Sequence, residues 1–232
     1  AIVQKHFAGH MRIEKPFGFL KAYADTPPVP PCTVPVQKRF DPQFLYSYSA
    51  VYGDPLIDTK IDPFPDGLLA RYASMGVSGV WLQVVLYMLC PDPAAPHLSA
   101  GWEQRLTNLA AIVQRAKRRG IGIYLYLNEP RGMTDEFFTH HPDWEGVFQP
   151  STGNYALCTS QAGVLDHIRN GARHVFTHVP DLAGAFTITM SENLTHCHSK
   201  GGGNECPRCS TRPVPAVVAE VNRAIEEGIH AA

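Results

Sequence analysis

Gln104-Arg-Leu-Thr-Asn-Leu-Ala-Ala-Ile-Val-Gln-Arg-Ala-Lys-Arg-Arg-Gly-Ile-Gly-Ile-Tyr-Leu-Tyr-Leu-Asn-Glu129 holds the pattern that decides the fold. Its first part spaces apolar residues as one face of a helix and gathers basic residues in the last turn, where they complement the helix dipole. Gly120 then stops the helix, and an apolar run follows that ends on the polar pair Asn128-Glu129. The unit is helix, glycine, strand, with a carboxylate at the tip of the strand.

The same unit lies on either side. Upstream, Asp66–Met75 has helical spacing, Gly76 is the stop signal, and Val77–Val85 reads as a strand. Downstream, Gln161–Phe176 reads as a helix and Pro180–Gly184 as a turn. The strand Gly184-Ala-Phe-Thr-Ile-Thr-Met190 then ends at Ser191-Glu192-Asn193. An earlier alternating run, Phe44–Val51, leads to Tyr52-Gly53-Asp54, and a last helix is expected over Pro215–Gly228. Strands alternating with helices in this way predict an α/β fold with parallel strands of the (β/α)-barrel type, of about four βα units. A complete (β/α)8 barrel takes about 250 residues, so the expectation for 232 residues with this layout is a partial or half barrel. Residues 1–43, with Pro27-Pro28 and Pro30-Pro31, form an irregular lead-in, and 44–232 form the barrel portion.

Bulk composition bounds the function classes. A net charge of −1 disfavours a nucleic-acid partner, and 44% hydrophobic residues suit a soluble domain with one sizeable core. No apolar run is long enough for a membrane span, and the N-terminus carries no recognisable signal peptide, which leaves the compartment open. Phosphate loops, nucleophile elbows and dinucleotide fingerprints are all missing from the sequence. Lys117-Arg118-Arg119 reads as a solvated helix end, and His140-His141-Pro142-Asp143-Trp144 as a helix entering a turn. Asn193-Leu-Thr195 fits a glycosylation sequon, a pattern common by chance.

Polar residues at the C-terminal ends of parallel strands face the ligand site of such folds. Glu129 and Glu192 are therefore the candidate catalytic residues, with Tyr52, Asp54, Gln83, Asn128, Arg131 and Asn193 as candidate substrate-binding residues. The site is therefore expected to be built around acids, whose neighbouring charges push their pKa values apart so that one can stay protonated while another is ionised. Asn128 and Asn193 offer neutral hydrogen bonds to hydroxyls, and Arg131 can hold a ring substituent or keep Glu129 ionised. Of Tyr48, Tyr52, Trp81, Tyr87 and Tyr126, those at strand tips are candidate platforms for the apolar face of a ligand, while those within strands read as core.

The succession "YGDP" (Tyr52–Pro55), "GVWLQ" (Gly79–Gln83), "RGIGIYLYLNEPR" (Arg119–Arg131) and "ITMSEN" (Ile188–Asn193) resembles the first half of a TIM-barrel glycoside hydrolase, specifically the β-hexosaminidase-like superfamily. The likeness spans roughly residues 44–200 and is one of layout. It implies that Glu192, on the fourth strand tip, is the general acid/base. Ser191 stands where that family has the Asp that orients the substrate's acetamido group, so acetamido-assisted catalysis is not expected. "NEP" also resembles the acid/base signature of other retaining glycosidases, a mapping that makes Glu129 the proton donor.

A second signal is His196-Cys197-His198-Ser-Lys-Gly-Gly-Gly-Asn-Glu-Cys206-Pro-Arg-Cys209. Its spacing suits a structural Zn²⁺ on Cys197, His198, Cys206 and Cys209, with His196 the other imidazole in reach; a disulfide and free thiols are the alternatives. Cys32, Cys90 and Cys158 read as scattered. Catalysis itself calls for no cofactor, and a closed structural zinc has no open position for chemistry. Two functional readings follow. The first is a glycoside hydrolase or its catalytic N-terminal portion; the second is a non-catalytic carbohydrate-binding or assembly fragment, since a half barrel leaves two sheet edges open. Either a second copy or the missing C-terminal half of a longer protein would close it.

Overall fold

The computed structural model describes residues 40–46, 53–93, 95–190 and 193–232. Tyr48, Tyr52, Cys32, Ser191, Glu192 and most of the Pro-rich lead-in lie outside these residues.

Strands β1 (Phe44–Leu45), β2 (Gly79–Val84), β3 (Gly122–Leu127) and β6 (Gly184–Thr187) form a parallel sheet in that order. Helices α1 (Asp66–Ser74) and α2 (Trp102–Lys117) connect the first three strands; α4 (Ala162–His178) leads into β6, and α5 (Val214–His230) follows it. Short α3 (Asp135–His140) enters a 3-10 turn at Pro142–Trp144. Gly76 and Gly120 close α1 and α2 with φ of 80° and 70°, the left-handed conformation that a side chain resists.

Period-2 alternation divides the sheet into two unlike faces. Val80, Leu82 and Val84 of β2 and Ile123, Leu125 and Leu127 of β3 point to the helices and are buried against Leu109, Val113, Ile168 and Val175. The other face is aromatic: Trp81 meets Tyr126 and Phe186 edge-on, each at 4.8 Å, and Phe44 meets Tyr124 at 4.7 Å. Phe44 and Phe186 remain 40% and 42% exposed, so this face is only partly covered. Helices α4 and α5 pack closely, with Gly228 of α5 lying against the Arg169 carbonyl of α4.

Two features depart from the sequence reading. The strand expected over Phe44–Val51 is described only as Phe44–Leu45 before the chain leaves the described residues. Between α3 and α4 stands an antiparallel hairpin, β4 (Glu145–Gln149) and β5 (Asn154–Leu157), where the sequence reading placed no strand. Among the described residues no helix is long and apolar enough to cross a membrane.

Candidate active site and cysteine centre

Asn128 and Glu129 follow directly from β3, and both are buried: Asn128 fully, with Glu129 3% exposed. Glu129 Oε1 accepts the Leu86 backbone N–H at 2.8 Å. Leu86 opens the 3-10 turn Leu86–Met88 that follows β2, and such a turn leaves N–H groups in need of a partner. The carboxylate thereby ties the tip of β3 to the tip of β2. Burial pushes the Glu129 pKa up to about 7; the Leu86 N–H, the Arg131 guanidinium and the Arg131 backbone N–H oppose that rise without cancelling it. Its charge in turn adds to the burial that pushes Tyr87 up and Cys90 to about 12.

Arg131 Nη1 donates to Asn193 Oδ1 at 2.7 Å, which joins the tip of β3 to the segment after β6. Among the described residues, Asn128 Oδ1 and Nδ2 and Arg131 Nε and Nη2 are buried without a hydrogen-bond partner. Such groups are costly unless something meets them, and both residues follow the carboxyl end of β3.

Asp54 follows β1 and is fully engaged: Oδ1 accepts the Leu56 N–H at 3.1 Å and Oδ2 accepts Arg105 Nε at 2.9 Å. It shares a small cavity with Gln83, Val84, Val85 and Met88. Asp54, Gln83, Asn128, Glu129, Arg131 and Asn193 therefore all lie at the C-terminal end of the parallel sheet. Tyr52 and Glu192 fall outside the described residues. Trp81 and Tyr126 lie on the aromatic face, whereas Tyr87 lines a cavity on the helix side with Cys90, His167, His174 and His178. The sequence signal for that second cavity was the spacing of His167, His174 and His178 along one helix, which the motif reading passed over.

The cysteine cluster differs from the expected set in one ligand. Cys158, Cys197, Cys206 and Cys209 are all buried, with sulfur atoms within 4.8 Å of one another. The fourth position belongs to Cys158 rather than His198. Cys158 is delivered by the hairpin, one residue beyond β5, and lies 3.7 Å from both Cys206 Sγ and Cys209 Sγ. His198 instead packs its ring against Gly203 and donates its backbone N–H to His196 Nδ1 at 3.2 Å. Burial first, and His198 second, push His196 down to about 4. The close approach of Gly146 in β4 to Cys197 leaves no space for a side chain there: an added Cβ would lie 2.7 Å from the sulfur.

Sulfur separations of 3.7 Å are too long for a disulfide of about 2.05 Å. They match the edge of a tetrahedron with metal–sulfur bonds of about 2.3 Å, which is about 3.8 Å. Arg208, inside the Cys206-Pro-Arg-Cys209 knuckle, donates Nε to Cys158 Sγ at 3.2 Å. Arg212 donates to Ser160 Oγ at 2.9 Å, itself 3.2 Å from Cys209 Sγ. Hydrogen bonds from Cys197 and then Arg208 favour the Cys158 thiolate and push its pKa below the usual thiol range, and that neighbouring charge pushes Cys197 up.

Comparison with solved structures identifies the architecture. A Geobacillus stearothermophilus GH36 α-galactosidase, AgaA, in complex with stachyose, aligns over 90% of this chain with a TM-score of 0.52 and 18% identity. The fold is a partial (β/α) barrel. A Flavobacterium johnsoniae chitobiase, FjGH20, aligns over 81% with a TM-score of 0.47 and 14% identity. The chain spans 28% and 30% of those two proteins, less than a third of either. No protein-family model and no curated protein matches the sequence.

Proposed function

We propose that this chain carries the catalytic strand tips of a glycoside hydrolase, with Glu192 as general acid/base. The observation that carries the reading is the union of three strand tips at the carboxyl end of a barrel-type sheet, through Glu129 to Leu86 and Arg131 to Asn193, the residue next to Glu192. Barrel enzymes place their chemistry at that end. In the proposed step the Glu192 carboxyl delivers its proton to the glycosidic oxygen as the bond from the anomeric carbon to that oxygen breaks. The oxocarbenium-like charge is then quenched by water or by a carboxylate. Asn128 and Arg131, with buried polar atoms unpartnered among the described residues, are proposed to bind sugar hydroxyls. Glu129 is proposed as a positioning residue, because its oxygen is already committed to Leu86.

The cysteine centre is proposed to hold Zn²⁺. Held by Cys158, Cys197, Cys206 and Cys209, the ion would have four sulfur ligands and no open position, and so would serve structure rather than chemistry. The glycosidase proposal is tested by turnover of a panel of aryl glycosides: activity that vanishes in Glu192→Gln while the fold is retained supports it. Undiminished activity in that variant removes it.

A further inference from the structure

We infer that the four-cysteine centre is a positioning device for the strand tips: a metal ion bound there fixes the Arg131–Asn193 pair from both sides at once. This rests on the four-thiolate Zn²⁺ proposed above and goes beyond it by assigning what the ion does. Two segments leave the candidate site, and both end in the centre.

The first starts at Asn193. Leu194 packs in a small apolar cluster with Cys158, Cys197, Cys206 and Cys209. The Thr195 hydroxyl bonds to the Thr189 carbonyl, and Ser199 Oγ accepts the N–H groups of Thr195 at 3.1 Å and His196 at 2.9 Å. This tight turn delivers Cys197. The second segment starts at Arg131. Gly132 lies against Leu194 so closely that an added Cβ would be 3.0 Å from its methyl. Met133 then bridges to Tyr155 with N–H···O bonds of 2.9 Å and 2.8 Å in the two directions, and Tyr155 lies in β5, which leads to Cys158. Cys197 and Cys158 are thus the ends of two arms whose other ends are Asn193 and Arg131.

A cation between the sulfurs closes these arms into one ring. Without it the same sulfurs are mutually repelling thiolates or weakly bonded thiols, partly neutralised by Arg208 and, through Ser160, by Arg212. Metal loss is therefore expected to loosen the Arg131–Asn193 pair while sparing β2, β3 and their helices; Met133, Leu157 and Tyr155 of the second arm also pack in that main core, which the cysteine cluster does not join.

The test uses the purified protein with its bound metal. Metal content is measured first, and Co²⁺ substitution reports sulfur ligation through its thiolate charge-transfer bands. Hydrogen exchange is then compared before and after chelation. The inference expects bound zinc, four-thiolate cobalt spectra, and about tenfold or greater loss of protection at Met133, Tyr155 and 193–199, with β2 and α2 unchanged. Cys158→His, which keeps a ligand, should restore much of the protection that Cys158→Ser loses. Bound zinc whose removal leaves Met133 and 193–199 protected overturns the positioning role and leaves the zinc proposal standing. A protein that takes up no metal into the cysteines overturns both. None of these readouts depends on glycosidase activity, so failure of that proposal is separately visible.

Discussion

Replacing Glu129 by Gln removes a titration that the fold has displaced, and the consequence is a pH-dependent difference in stability. Burial raises the carboxyl from its ordinary 4.5 to about 7. Between those values the folded protein keeps a proton that the unfolded chain has released, so stability falls as pH rises through that window. At about 1.4 kcal/mol per pH unit, the loss from this group alone is about 3 kcal/mol, complete above pH 7 and absent below 4.5. Gln keeps an oxygen that can accept the Leu86 N–H but cannot ionise. Urea unfolding of both proteins at pH 4.5 and pH 8 separates this effect from the fixed cost of the amide, because other titrations cancel in the difference. The variant should gain about 3 kcal/mol relative to the wild type between the two pH values. A difference that stays constant within about 0.5 kcal/mol would refute the burial argument for Glu129.

Three further outcomes are expected. Leu125→Ala, at a side chain with no exposure between sheet and helices, should lower unfolding free energy by about 2–5 kcal/mol in denaturant titration. Cys206→Ser should abolish stoichiometric zinc retention measured by elemental analysis, since three thiolates no longer close the tetrahedron. Arg131→Ala leaves Asn193 without its 2.7 Å partner and should raise KM for a glycoside substrate about tenfold or more, read from initial rates, with thermal unfolding little changed.

Most of the sheet was legible because its signals are local. The helix over 104–119, Gly120 and the run to Leu127 each follow from spacing and turn chemistry, and the structure places α2 and β3 there to within a few residues. The β4–β5 hairpin was not legible: Glu145-Gly-Val-Phe-Gln149 and Asn154-Tyr-Ala-Leu157 are short and half-buried, and their pairing is set by packing against the cysteine loop. The same packing explains Cys158. Nothing in Leu157-Cys158-Thr159 marks a ligand, and only the hairpin brings it to the Cys-x2-Cys knuckle, where local spacing had pointed to His198. At the strand tips, position after an apolar run was enough to place Glu129 and Arg131 just beyond the carboxyl end of β3. The partners Leu86 and Asn193 depend on strand order, which spacing alone does not encode.

Leaving-group dependence in Glu192→Gln tests the central claim most directly. A general acid contributes about 10²–10⁴-fold when the departing oxygen needs a proton and little when it does not. Turnover of aryl glycosides across a range of phenol acidities should therefore show Glu192→Gln crippled with poor leaving groups and recovering toward wild type with the most acidic ones, while Glu129→Gln shows no such recovery. Recovery confined to Glu129→Gln, or rates in Glu192→Gln that match wild type across the whole range, would contradict the assignment of Glu192 as the acid.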